Sequence, residues 1–129
     1  MESFGKKYKL CSRTKIIQLF QSGNKFHVYP YTVLWLSNSE QNTSTFQLLI
    51  SVPKRQFKKA HDRNYLKRIT REAVRKNKLE LENKLFNSSH KLSVALIYNS
   101  KDKESFHSVE KSLQKIFRKL NDSIADLPK

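Results

Sequence analysis

A metal-dependent hydrolytic site gathers carboxylates around paired ions. In this sequence Asp62, Glu72, Glu80, Glu82, Asp102 and Glu104 are scattered among lysines and arginines. His27, His61, His90 and His107 lack the spacing of metal ligands, and singly each reads as a surface or packing residue. Cys11 has no histidine or acid beside it and reads as inert. The residues therefore predict no catalytic side chain and no metal site. What they concentrate is positive charge: "KKAHDRNYLKRITREAVRK", Lys58 to Lys76, holds eight basic side chains and two acidic ones, with no Gly or Pro.

On a helical wheel of about 100° per residue, Arg63, Asn64, Lys67, Arg68, Arg71 and Arg75 fall within an arc of about 140°, with Val74 intruding. Tyr65, Leu66, Ile69 and Ala73 fill a separate arc of about 100°. Glu72 borders the stripe, within reach of Arg68 four residues before it or Arg75 three after. Lys54, Arg55, Lys58 and Lys59 add charge at the entrance, where His61 also reads as an RNA contact. One face suits packing on a sheet, and the other suits a polyanion. The Asn64 amide donates and accepts at once, as a phosphate or ribose contact requires. A solvated helix face is the bland alternative, but a face of one sign leaves its repulsion uncompensated.

The whole chain agrees. Its 129 residues carry 26 Lys and Arg against 11 Asp and Glu, a formal charge of +15. Repulsion on that scale is tolerated most easily beside a polyanion. No apolar run is long enough to span a bilayer, and "MESFGKKYKLCSRTK" lacks the apolar stretch of a signal peptide. A membrane-surface helix would need bulkier apolar residues than Ala73. The single cysteine excludes an internal disulfide and suits a reducing cytosol, so a cytoplasmic location is expected.

The elements that must position this charge are short and few. "TKIIQLFQSG" reads as a helix with Ile16, Leu19 and Phe20 on one face and Gly23 as its stop. "FHVYPYTVLWL" is one strand, or two broken at Pro30. "SNSEQNTS" has hairpin character, and "FQLLISV" is a strand with Phe46, Leu48, Ile50 and Val52 on one face. The basic segment then runs helically to about Phe86 and breaks at "NSSH". "KLSVALIY" reads as a strand buried on both faces. Last comes an amphipathic helix with Phe106, Val109, Leu113, Ile116, Phe117, Leu120 and Ile124 in register. The expectation is one α+β RNA-binding domain over residues 1–129. It has a single small sheet and three helices in the order α-β-β(-β)-α-β-α, with a parallel strand pair joined by the basic helix.

RNA is favoured over DNA. No short Gly-bearing turn makes a helix-turn-helix, no "GXXG" marks a KH domain, and no strand carries the RRM aromatic-Gly signature. At this point the residues resemble a family. "KKAHDRNYLKRITREAVR" is similar to the signature of the protein subunit of bacterial ribonuclease P, where an Arg-Asn-Arg element precedes Lys-Arg and Arg-Glu. "FGKKYKL", "IIQLFQSG", "LLISVPKR", "KLSVALIY" and "SLQKIFRKL" resemble its other segments, covering nearly the whole chain. The third residue of Arg-Asn-Arg is Tyr65 here, which lies toward the apolar arc.

The resemblance implies a ribonucleoprotein subunit. Its RNA partner removes the 5′ leader of precursor tRNA, with magnesium held chiefly by RNA and substrate phosphates. It also implies a left-handed crossover between the parallel strands, against the usual preference. A leader cleft between the first helix and the sheet is implied as well. Phe20 matches a family aromatic, while the family's aromatic four residues earlier is Ile16. Tyr29, Tyr31 and Trp35 are candidate stacking surfaces for the leader, with a core role as the alternative. Lys6, Lys7 and Lys9 are placed to track its phosphates. A ribosomal or RNA-chaperone protein and a DNA-binding regulator are the competing readings, and no membrane or DNA partner is expected.

Overall fold

The computed structural model describes residues 9–10, 12–38, 46–88 and 90–125. Lys6, Lys7, Cys11 and most of the polar loop after Asn38 lie outside them. Helix α1 spans Arg13–Ser22. The Ser12 hydroxyl opens it by accepting from the Lys15 amide. Gly23 closes it, its N–H donating to the Leu19 carbonyl at 2.9 Å. A Cβ on Gly23 would overlap that same carbonyl oxygen, so this stop needs a glycine.

Strands β1 (Asn24–Val28) and β2 (Tyr31–Asn38) form an antiparallel hairpin across the Tyr29–Pro30 turn. The break expected at Pro30 is there. β3 (Phe46–Ser51), α2 (Ala60–Asn77), α3 (Leu79–Ser88), β4 (Lys91–Tyr98) and α4 (Phe106–Ala125) follow. The sheet order is β1-β2-β4-β3, with β2–β4 antiparallel and β3–β4 parallel.

Two sequence expectations need correction. The described residues form four helices, not three, on a mixed four-stranded sheet. The expected long helix divides at Lys78, where no Gly or Pro warns of it and the backbone stays near helical values (φ −79°, ψ −19°). The Asn77 amide caps α2 by donating to the Ala73 carbonyl at 2.8 Å, and the Glu82 N–H restarts the ladder on the Lys78 carbonyl. The buried Lys78 ammonium completes the corner on the Glu82 carboxylate, 3.0 Å away. The second correction concerns neighbours. β2 and β3 do not form a hairpin, because β4 inserts between them.

That insertion explains why β4 is apolar on both sides. Val94, Leu96 and Tyr98 face a large core with Tyr31, Val33, Trp35, Phe46 and Leu48, covered by α2 and α4. Ala95 faces the opposite side with Leu34, Leu10 and Leu19, against α1. All seven apolar residues expected along α4 pack in the main core, Phe106 only partly buried. α1 crosses its face of the sheet. Lys9 bridges to Leu48 of edge strand β3, and Gly23 leads into β1 at the other edge.

Candidate RNA interface

Residues 53–59 carry the chain from β3 into α2, and three anchors fix them. Phe57 is buried in the main core, its ring edge-on to Tyr98 at 5.7 Å. The Arg63 guanidinium donates through Nη1 to the carbonyls of Phe57 and Lys58, each at 2.8 Å. The Gln56 amide donates to the Asn99 side chain at 3.2 Å. Lys54, Arg55, Lys58 and Lys59 stand exposed on this pinned segment. No side chain caps the start of α2.

Along α2, His61, Asn64, Arg68 and Arg71 are exposed, while Arg63, Lys67 and Arg75 are half-buried. The wheel set the stripe too far toward Arg63. Thr70 and Val74 are fully buried because α2 packs against α4 as well as the sheet, which widens its buried arc. Thr70 shows how tightly that arc is held. Its hydroxyl donates to the Leu66 carbonyl at 2.7 Å, so the Tyr31 phenol, 2.6 Å away, must donate to it. Burial raises the Tyr31 pKa well above that of a free phenol.

The acids of this region are engaged. Glu72 accepts two hydrogen bonds from the Arg75 guanidinium, which hold its carboxyl below the usual carboxylate range. Asp62 accepts from the Lys103 ammonium at 3.1 Å and is held low by that bond. Lys103 and Arg68 also flank the Tyr65 ring, at 4.8 and 5.5 Å from its centroid. Tyr65 packs against the core. Arg68 and Arg71 are left to face outward.

Among the described residues no three His, Cys, Asp or Glu side chains come together to hold a metal ion, and Asp62, Glu72 and Glu82 each hold a cationic side chain. Nor is any helix among them long and apolar enough to cross a membrane.

The other face of the sheet carries a different surface. On α1, Leu19 is buried and Ile16 half-buried, whereas Phe20 and Ile17 are 51 % and 48 % exposed. Leu49 of β3 and Ile97 of β4 add half-buried apolar groups on this face. Sequence reasoning missed Ile17, Leu49 and Ile97. The strand residues carried a signal, being apolar in the phase opposite to the main core. A polar row crosses the same face: the His27 ring sits 3.1 Å from the Thr32 hydroxyl, which also accepts from Asn99 at 3.4 Å. With the Gln56–Asn99 bond, the row ends at the turn bearing Lys54 and Arg55. No periodicity announces it, because it depends on strand register.

The candidate aromatics do not come together. Tyr31 and Trp35 alternate onto the main-core side of β2, away from α1, and are buried there. Tyr29 is exposed, but its hydroxyl is tied to Ser100 and Asp102 beyond β4. Its carbonyl accepts from Ser112 of α4 at 2.7 Å. Of the expected leader contacts, Ile16 packs on the face beneath α1, and Phe20, one turn further along that helix, is exposed.

A mixed sheet with a basic crossover helix on one face and exposed apolar residues on the other, with no metal-holding side-chain cluster among the described residues, has the form of an RNA-binding protein. The chain belongs to the Ribonuclease P family, which it matches over residues 4–121. It is 34 % identical over 110 residues to the ribonuclease P protein component of Porphyromonas gingivalis, covering 85 % of this chain and 80 % of that one. Its fold is shared with the RNase P protein of Staphylococcus aureus (TM-score 0.71, 19 % identity, covering 88 % and 94 % of the two chains). The same holds for that of Thermotoga maritima (0.66, 23 %, covering 86 % and 96 %). The protein is thus a non-catalytic component of a ribonucleoprotein, assisting RNA-based cleavage of the precursor tRNA leader.

Proposed function

We propose that the two faces of the sheet divide the work of that assistance within one RNA-binding domain. The α2 ridge of Asn64, Arg68 and Arg71, continued by Lys54, Arg55, Lys58, Lys59 and His61, docks on the RNA subunit. Arg75 and Lys67 flank it, and Arg63 shapes its entrance. The surface beneath α1, formed by Phe20, Ile17, Ile16, Leu49 and Ile97, receives the single-stranded leader. The observation that carries this reading is the ridge itself: outward cations of one sign on a rigid helix, with the neighbouring acids already engaged.

The division follows from the form of each RNA. Helical RNA presents phosphates and 2′-hydroxyls but no base faces, so it suits a charged helix. An unpaired leader exposes its bases, which suit an apolar surface with one aromatic. Lys54 and Arg55 stand where the two faces meet, at the end of the polar row. By holding leader and RNA subunit together, the protein positions the scissile phosphate, while magnesium is held by RNA and substrate phosphates.

The test is the salt dependence of RNA-subunit binding. Neutralising roughly six to ten phosphates makes affinity fall about 10³- to 10⁵-fold between 50 and 200 mM salt. A nearly flat dependence would identify the charge as a solubility device. Precursor tRNA processing at low magnesium, with RNA subunit present, separates this reading from a ribosomal or chaperone role: binding without stimulated 5′ cleavage favours the latter.

A further inference from the structure

A second basic surface lies on α4, outside the residues considered so far. Lys111, Lys115, Arg118 and Lys119 are all exposed on this helix, and Asp122 is the one exposed acid among them. Lys111, Lys115 and Lys119 repeat every four residues, forming a row on which each neighbour repels the next. Lys119 rests its ammonium 5.3 Å from the centroid of the Phe26 ring, which leaves Lys111, Lys115 and Arg118 facing outward. Such a row is stabilised by a polyanion laid along it.

Beside the row is a groove of about 290 Å³, lined by Asn77, Glu80, Gln114, Phe117, Arg118 and Asn121. Its walls are the corner between α2 and α3 on one side and α4 on the other. Asn77 is fixed, donating to the Ala73 carbonyl and the Glu110 carboxylate, and Gln114 donates to Asn77 at 3.4 Å. Asn121 differs from both. It is only 9 % exposed, and its Oδ1 is buried with no hydrogen-bond partner among the described residues. A ligand offering an N–H would give this buried acceptor the partner it lacks. The volume sits near the lower limit of small-ligand sites, about 300 Å³, so the occupant is a single small group.

We infer that the outer face of α4 is a second docking surface for the RNA subunit, with phosphates on Lys111, Lys115 and Arg118 and one unpaired base in the groove. The base donates to Asn121 Oδ1, and the Arg118 guanidinium offers a plane for stacking. An unpaired base is required because paired bases in an RNA helix hide their faces and donor edges. The RNA subunit is the occupant because α2 and α4 pack side by side on one face of the sheet, whereas the leader surface lies on the other. This rests on the proposal that α2 meets the RNA subunit.

Hydroxyl-radical footprinting of the assembled holoenzyme tests both, and separately. Replacing Lys111, Lys115 and Arg118 together by Gln should lower the magnitude of the salt slope by about 2 to 3. It should also erase one patch of RNA-subunit protection, distinct from the patch erased by Arg68→Ala with Arg71→Ala. Gln114→Ala and Asn121→Leu should each restore chemical reactivity at one nucleotide while the surrounding protection persists. A triple variant with the parental slope and footprint overturns the inference, as does loss of protection on precursor tRNA instead. If the α2 variants alone leave the footprint intact, the α2 proposal fails while the α4 result still stands. Gln114 is exposed, so its variant reads the groove even where Asn121→Leu perturbs folding.

Discussion

Arg63 is bonded to the backbone of Phe57: one guanidinium nitrogen bridges the Phe57 and Lys58 carbonyls, clipping the basic turn onto the first turn of α2. A residue that belongs by charge to the proposed RNA-binding stripe is thereby also a structural one. It helps to fix the direction of its neighbours Lys58 and Lys59.

Arg63→Ala and Arg68→Ala should therefore fail differently. Losing hydrogen bonds from a charged donor to two carbonyls costs about 1–3 kcal/mol, visible in urea denaturation. The loosened turn should weaken RNA-subunit binding as well. Arg68→Ala removes an exposed cation, so stability should stay within about 0.5 kcal/mol while the salt slope falls by just under 1. Equal stability for the two variants would mean the clip contributes nothing.

How much of this was legible in the sequence depends on the range of the interaction. The faces of β3 and α4 follow local periodicity, so Phe46, Leu48 and the row from Val109 to Ile124 could be placed in advance. The α2–α3 corner is local too, but it uses a buried Lys78–Glu82 pair and an Asn77 cap instead of Gly or Pro. The sheet face chosen by Tyr31 and Trp35 and the insertion of β4 depend on pairings distant in sequence, while the Arg63 clip is local but follows no periodicity. A wheel treats a helix as having one buried side. α2 has two neighbours, which is why Val74 looked like an intruder in a charged face and is in fact fully buried.

The two core tyrosines give a pH prediction. Burial pushes the Tyr98 phenol up to about 12, and that of Tyr31 higher still. Both protons are held more tightly in the folded chain than in the unfolded one. Their contribution to stability is thus complete below about pH 10, the free phenol value, and is lost as pH rises through about 12 for Tyr98. Tyr98→Phe removes the hydrogen bond to the Asp102 carbonyl and should cost about 1 kcal/mol at neutral pH. The gap between parent and variant should narrow from pH 10 to pH 12 in denaturant titrations. A constant gap would show that the phenol titrates alike in both states.

The corner at Lys78 offers a third test. Breaking a buried ion pair by removing one partner costs up to about 3–5 kcal/mol. Lys78 is almost wholly buried, so Glu82→Gln should destabilise the fold far more than Glu80→Gln, whose side chain is exposed. Thermal unfolding of the two variants gives the comparison. Replacing Lys78 by Met, which removes the charge and keeps the apolar stem, should be milder than Glu82→Gln.

Phe20 tests the proposed leader surface separately from the α2 ridge. It stands half-exposed on α1, the helix that packs on the sheet face carrying Leu49 and Ile97, and its ring is open for an unpaired base to stack on. Phe20→Ala should weaken precursor tRNA binding by the assembled holoenzyme by about 1–3 kcal/mol, the value of one stacked base. Mature tRNA, which has no leader, should bind almost as before. Arg68→Ala should instead weaken assembly with the RNA subunit, and at saturating protein the preference for precursor should persist. Packing is controlled by Phe20→Leu, which keeps most of the apolar volume but offers no ring. If stacking carries the effect, Leu should restore stability without restoring the precursor preference. Equal weakening of precursor and mature tRNA by Phe20→Ala in an intact fold would remove Phe20 from the leader surface. The contact would then have to be sought along the row from His27 to Gln56.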